Sequence, residues 1–209
     1  MSNNRKEEIV LATMELAARN GLGNVSMSMI ADRIGIKKPS LYKHFTSKEE
    51  IVEEMYRFLR EQAKARSDSK PMDYSVAFEG KTAYEILQQM VAGYIRMNER
   101  EQMMDFYKVI YSERSIQPVA AKIMAEETER MILATKQLFY AMEVHKKLHF
   151  QNADMCAVSF AMTVHGLMDY ELDKKTGAYE AADSGKNLME EYIKWFCSEH
   201  AAEKGGNQK

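Results

Sequence analysis

The chain has 209 residues, of which 45% are hydrophobic and 29% are charged, and its formal net charge is −2. This balance allows a sizeable core and excludes binding to nucleic acid through overall positive charge, so such a site needs local charge placement. The sequence contains no run of 18 apolar residues and no N-terminal signal-peptide pattern. The two cysteines, Cys156 and Cys197, are too few and too far apart for a disulfide framework, so we expect a cytoplasmic protein with reduced thiols.

Helix-breaking residues are scarce along the whole chain, which has three prolines and ten glycines. Strand-like alternation of β-branched residues is nearly absent, whereas apolar residues recur at helical spacing. The sequence therefore predicts an all-α fold.

The first two predicted helices carry clear start and stop signals. A helix from about residue 5 to residue 20 ends at Gly21, which is placed to be a helix C-cap. Ser26 is placed to cap the second helix, whose small Ala31 allows close helix packing and which ends at Gly35.

The third and fourth helices follow immediately. Pro39 fits the first position of a short helix that ends at His44 or Phe45, because a missing N–H costs little there. Ser47 and Glu50 form the pattern of a capping box at the start of the fourth helix.

The rest of the chain predicts a second, larger helical region. Residues 67–80 form a polar connection that contains Pro71 and Gly80, and four long helical patterns follow it. The segment 152–172 is apolar on most sides, which is typical of a helix buried at a subunit contact. Residues 204–209 are expected to be a disordered tail.

Positive charge is concentrated around the third helix. Between Arg33 and Lys48 the sequence has five basic residues and no acidic one. In the segment Val25–Phe45, the glycine allows a tight turn between two helices, while Ile36 and Leu41 point to the core. The positions left for the surface can all donate hydrogen bonds to DNA: Lys37, Lys38, Ser40, Tyr42, Lys43 and His44.

The segment GLGNVSMSMIADRIGIKKPSLYKHFTSKEEIV resembles the DNA-binding signature of the TetR family of bacterial transcription regulators. The resemblance covers roughly residues 5–60. It implies a three-helix DNA-binding module, joined by a fourth helix to a helical ligand-binding and dimerisation domain. Carried over by position, it implies DNA contacts by these residues: Ser26, Lys38, Ser40, Tyr42, Lys43, His44 and Lys48. Where some members have a base-reading Arg, this chain has Ser28.

The resemblance also implies an arrangement of domains and partners. We expect a DNA-binding domain at 1–47, a connecting helix at 48–66 and a ligand-binding and dimerisation domain at 67–203. Helices near 152–173 and 185–200 would form a four-helix bundle in a homodimer, and a small molecule would swing the fourth helix and release double-stranded DNA from a palindromic operator.

The 17 methionines suggest an adaptable apolar cavity for that small molecule. The candidate lining residues are Met90, Tyr94, Met97, Met103, Phe106, Tyr107, Ile110, Met131, Met162 and His165. Ordinary core packing is the alternative for most of them.

No cofactor, metal site or catalytic group is expected. His145 and His149 have a spacing that can hold a metal, but two lysines lie between them. His44 has no nucleophile or paired acid near it in sequence, and His165 has Asp169 one turn later as a partner.

Three alternatives to a ligand-released repressor stay open. A helical small-molecule binding protein without DNA function would leave the basic stripe unexplained. An enzyme would need a set of nucleophile, base and oxyanion donors, which the sequence does not offer. An architectural DNA binder would act by occupancy alone.

Overall fold

The computed structural model describes residues 2–66, 73–98, 101–176 and 187–202. These residues form ten α-helices and no strand, with one isolated bridge between Leu148 and Ala201, so the all-α prediction is confirmed. The helices are α1 (Ser2–Asn20), α2 (Met27–Arg33), α3 (Lys38–Tyr42), α4 (Lys48–Arg66), α5 (Tyr74–Ala77), α6 (Ala83–Asn98), α7 (Glu101–Glu113), α8 (Pro118–Val144), α9 (Ala153–Thr176) and α10 (Leu188–Glu199). The predicted tail, 204–209, lies outside the described residues.

The chain divides into two compact units. Unit 1 consists of residues 1–70 and 97–128, and unit 2 consists of residues 71–96 and 129–209. The N-terminal helices therefore share a unit with α7 and with the first part of α8. The functional division at residues 47, 66 and 203 stays a prediction.

Unit 1 is built around one apolar core to which α1, α2, α3, α4, α7 and α8 all contribute. Ile9, Leu41 and Ile51 are fully buried in it, together with Ile110 from α7. Complete burial of such side chains stabilises a fold by roughly 1.5–3 kcal/mol each. The short N-terminal helices thus depend on residues up to a hundred positions away.

Local signals in the sequence fix the turns between the N-terminal helices. Gly21 has φ +78° and its N–H donates to the Ala17 carbonyl at 2.8 Å, ending α1 as predicted. The Ser26 hydroxyl accepts the N–H of Met29 at 3.2 Å and caps α2. Gly35 has φ +69°, a left-handed conformation that favours glycine.

Three local details differ from the prediction, and the first is that helix α3 ends at Tyr42 and not at His44 or Phe45. Helix α3 begins at Lys38, so Pro39 is its second residue, which is still within the turn whose N–H groups have no partner inside the helix. Ser47 Oγ accepts the Glu50 N–H at 3.2 Å as expected, but the Glu50 carboxylate reaches one residue further back, to the Thr46 N–H at 2.6 Å. That hydrogen bond lowers the pKa of Glu50.

Unit 2 has its own core, centred on a cluster of four phenylalanines. Phe139 stacks on Phe150 at 4.6 Å between ring centroids and contacts Phe160 and Phe196. The segment predicted as a polar connection contains α5, which Asp73 caps by accepting the Ser75 N–H at 3.0 Å. A four-residue helix has no apolar period that a sequence could show.

The turn between α2 and α3 allows a direct test of backbone strain. A Cβ added to Gly35 would meet no atom within 4 Å, so a substitution there is penalised by its positive φ alone. Gly35→Ala should lower the free energy of unfolding by about 1–2 kcal/mol, and Gly35→Asn by less, because Asn tolerates this conformation better. Urea unfolding followed by circular dichroism measures both. An Ala variant as stable as the parent would contradict the assigned turn.

Candidate nucleic-acid interface

Helix α3 is held against unit 1 by its apolar residues and turns its polar residues to solvent. Leu41 is fully buried and Phe45, just after the helix, is 1% exposed. Tyr42 is 45% exposed. The remaining predicted contact residues of this segment are also accessible: Lys37, Lys38 and Lys43 are exposed, and Ser40 and His44 are half-buried.

The charge of this surface, which we call the α3 face (residues 37–44), is not neutralised. Within the described part of the chain, no carboxylate lies within ion-pair distance of Lys37, Lys38 or Lys43. The Lys38 ammonium lies 5.9 Å from the centroid of the Tyr42 ring, a cation–π contact that orients both side chains. By contrast, Arg33 pairs with Glu15 at 2.6 Å and contributes little free charge. The α3 face can therefore bind an anionic surface such as the DNA backbone.

Two of the residues predicted to contact DNA also have structural roles. Ser26 is exposed, and its hydroxyl is the cap of α2 described above. The Lys48 ammonium donates a hydrogen bond to the Leu22 carbonyl at 2.8 Å, joining the start of α4 to the turn after α1. Ser28, which stands where some TetR members have an Arg, is half-buried in α2.

The structure adds one cation that the sequence pattern does not indicate. Lys6 of α1 lies 5.1 Å from the centroid of the Phe45 ring, at the end of the α3 face. The two residues are far apart in sequence, and only the packing of α1 against the core brings them together. No motif could have identified Lys6 as a neighbour of α3.

The predicted ligand-binding residues are divided between the two units. Met103, Phe106, Tyr107 and Ile110 all lie on α7 and pack in or against the core of unit 1. In unit 2, Met90 packs against the core, Tyr94 and Met131 are half-buried, Met162 is 48% exposed and His165 is half-buried. The Met97 side chain lies outside the described residues. The role of these residues in ligand binding stays a prediction.

Among the described histidines, His165 is unusual because its Nδ1 atom is buried without a hydrogen-bond partner. His145 packs edge-on against Phe78, and His149 Nδ1 lies 3.9 Å from a Glu143 oxygen. The His165 Nε2 to Asp169 Oδ2 distance is also 3.9 Å, too long for the predicted hydrogen bond. Burial raises the pKa of Cys156, and it raises the pKa of Cys197 to about 11, which disfavours the thiolate form of both side chains.

Comparison with known proteins identifies the N-terminal region. Residues 9–55 match the model of the family "Bacterial regulatory proteins, tetR family". The chain is 42% identical over 55 residues to the HTH-type transcriptional repressor KstR2 of Mycobacterium tuberculosis, a match that covers 26% of this chain and 28% of KstR2. It is 33% identical over 64 residues to the nucleoid occlusion factor SlmA of Vibrio cholerae, covering 30% and 33% of the two chains.

Residues 9–55 form a TetR-type DNA-binding region. The matched segment contains most of α1, all of α2 and α3 and the start of α4, which is the part that presents the α3 face. It spans about a third of the curated relatives or less. The TetR-type DNA-binding domain is thus established by sequence for this region alone.

Similarity in fold extends over nearly the whole chain. The solved structure of the flavonoid-responsive regulator FrrA superposes with a TM-score of 0.68 at 20% identity, covering 96% of this chain and 99% of FrrA. This likeness confirms an N-terminal helix-turn-helix followed by a helical C-terminal region. In the described ranges, none of the helices is long and apolar enough to cross a membrane.

The orientation of α3 can be tested by a pair of neighbouring substitutions. Leu41→Ala should lower the free energy of unfolding by about 2–5 kcal/mol, because it opens a cavity in the core. Tyr42→Ala should change it by less than about 0.5 kcal/mol, since the side chain is largely in solvent. Chemical denaturation of both variants measures the difference. Equal effects, or a larger loss for Tyr42→Ala, would show that the helix is turned the other way.

Proposed function

We propose that this chain is a ligand-responsive transcription regulator of the TetR family, a repressor that binds a palindromic operator as a homodimer and is released by a small molecule. The observation that carries the proposal is the α3 face, where three lysines with no ion-pair partner in the described part of the chain lie near an exposed Tyr42. Lysines bind phosphates, and a side chain from such a helix reaches base edges in the major groove.

An exposed apolar surface on unit 2 supports the homodimer. Helix α9 buries Ala157, Phe160 and Val164 against its own unit but leaves Met155 and Met162 exposed by 59% and 48%. On α10, Leu188 and Trp195 are likewise exposed, by 39% and 54%. An apolar surface of this kind marks an interaction site, and a second copy in two-fold symmetry would cover the same face on both chains.

The release step follows from a two-state dimer. One state would space its two α3 helices by one turn of DNA, about 34–36 Å, and the other would not. A ligand that favours the second state weakens operator binding by its differential affinity, typically about 5–150-fold. The names of KstR2, a repressor, and FrrA, a flavonoid-responsive regulator, are consistent with this behaviour but describe those proteins.

Operator binding is tested with a duplex that the wild-type protein selects from a random DNA library. The variant Lys38→Ala/Lys43→Ala should lose specific binding, and each single substitution should reduce the slope of log K against log salt by about 1 per subunit. The control Lys108→Ala/Lys175→Ala removes the same charge from exposed sites on α7 and α9 and should bind normally. Selection of no palindrome by the wild-type protein would favour a binding protein without DNA function.

The dimer face is tested by Met162→Arg, which puts a charge at the centre of the exposed α9 surface. Because a buried unpaired charge opposes association, the variant should sediment as a monomer at concentrations where the wild-type chain is a dimer. Val76→Arg is the matched control, since Val76 is an apolar residue 68% exposed on α5. Analytical ultracentrifugation measures both, and a dimeric Met162→Arg variant would place the interface elsewhere.

A further inference from the structure

A carboxylate lies buried among aromatic residues in unit 1. Glu127 of α8 is only 8% exposed. The hydroxyl of Tyr56, on α4, donates to Glu127 Oε1 at 2.5 Å, and the hydroxyl of Tyr107, on α7, donates to Oε2 at 3.1 Å. Burial of a carboxyl group is costly unless its oxygens form hydrogen bonds, so these two contacts offset the cost of burying Glu127.

The three residues, which we call the Glu127 cluster (Tyr56, Tyr107 and Glu127), link three helices through directional bonds. Tyr56 also stacks on Phe106 of α7, with centroids 6.1 Å apart and an interplanar angle of 17°. In this apolar setting the hydrogen bonds are stronger than at the surface. A slide of α8 by one residue, about 1.5 Å, would break the short bond to Tyr56.

Two other polar contacts from α7 and α8 to the N-terminal helices are weaker. Lys122 pairs with Glu53 of α4 at 2.9 Å, but both side chains are more than half exposed. Such surface pairs contribute little. Glu113, at the end of α7, accepts the N–H of Gly23 at 3.3 Å in the turn before α2. The Glu127 cluster is therefore the strongest of these polar constraints on α4.

We propose that the Glu127 cluster is a lock that holds α4 in the orientation needed for operator binding, with Glu127 as its positioning residue. The inference rests on the proposed function. Helix α4 shares its core with the anchors of the α3 face, so the orientation of α4 is linked to that of α3. A displacement of α7 or α8 that separates the carboxylate from either tyrosine releases α4. The released helix samples many orientations, few of which fit both half-sites, so operator affinity falls.

The lock is tested by substitutions that keep the shape of each side chain: Tyr56→Phe, Tyr107→Phe, Glu127→Gln and the double variant Tyr56→Phe/Glu127→Gln. Affinity for the selected duplex is measured by fluorescence anisotropy well below each variant's unfolding temperature. Each single variant should bind about 5-fold or more weakly. The double variant should bind no worse than its weaker single parent, because both substitutions break the same contact. Glu53→Gln, which removes the exposed salt bridge to Lys122, should bind within 2-fold of wild type.

A second measurement tests the lock independently of the proposed function. Hydrogen exchange of α4 amides in the DNA-free protein should speed up in the three lock variants and stay unchanged in Glu53→Gln. Variants with lower unfolding temperatures but wild-type duplex affinity and wild-type α4 exchange would overturn the lock and leave the regulator proposal intact. A wild-type protein that selects no duplex would overturn the proposed function. The hydrogen-exchange rates of α4 would then be the only test of the lock. If Glu127→Gln does not fold, Tyr107→Phe, at a half-buried position, carries both tests.

Discussion

The surface that we assign to DNA depends on two buried anchors, Leu41 and Phe45. Helix α3 has only five residues, whereas isolated helices shorter than about 12 residues are marginal in water. Its conformation is therefore imposed by packing against the core of unit 1. The same anchors set the rotation of the helix about its axis, and thereby decide that Tyr42 and the neighbouring lysines face solvent. The core that holds them includes Phe106 and Ile110 of α7, so the proposed DNA-binding surface near the N-terminus is held in place by residues more than sixty positions later.

Through this shared core, α7 supports the N-terminal helices and also belongs to the proposed lock on α4. Its apolar side packs with α1 and α4, and its Tyr107 belongs to the Glu127 cluster. A change in the position of α7 would therefore act on the N-terminal helices without an intervening flexible segment. Close-packed cores respond to such changes by switching between discrete arrangements and not by gradual deformation. In the observed arrangement the buried Glu127 carboxylate accepts hydrogen bonds from both tyrosines of the cluster.

Features encoded by local chemistry could be predicted from the sequence. The stops at Gly21 and Gly35 follow from their backbone freedom, and the caps at Ser26 and Ser47 follow from their hydroxyl groups. The outward direction of the α3 face follows from the alternation of apolar and polar residues around Leu41. Features that depend on distant packing could not be predicted. The Glu127 cluster joins three residues that share no sequence motif. The helical spacing of a methionine such as Met162 does not show whether its side chain is buried or exposed.

The central claim is that α3 of each protomer enters the major groove of one duplex, at two sites one helical turn apart. Dimethyl sulfate protection of the selected duplex tests this most directly, because the reagent methylates guanine N7 in the major groove. The account predicts two patches of protected guanines related by the two-fold axis, with centres about 10–10.5 base pairs apart or at a multiple of that spacing. Full occupancy of the duplex without N7 protection, or protection of a single unpaired patch, would contradict it.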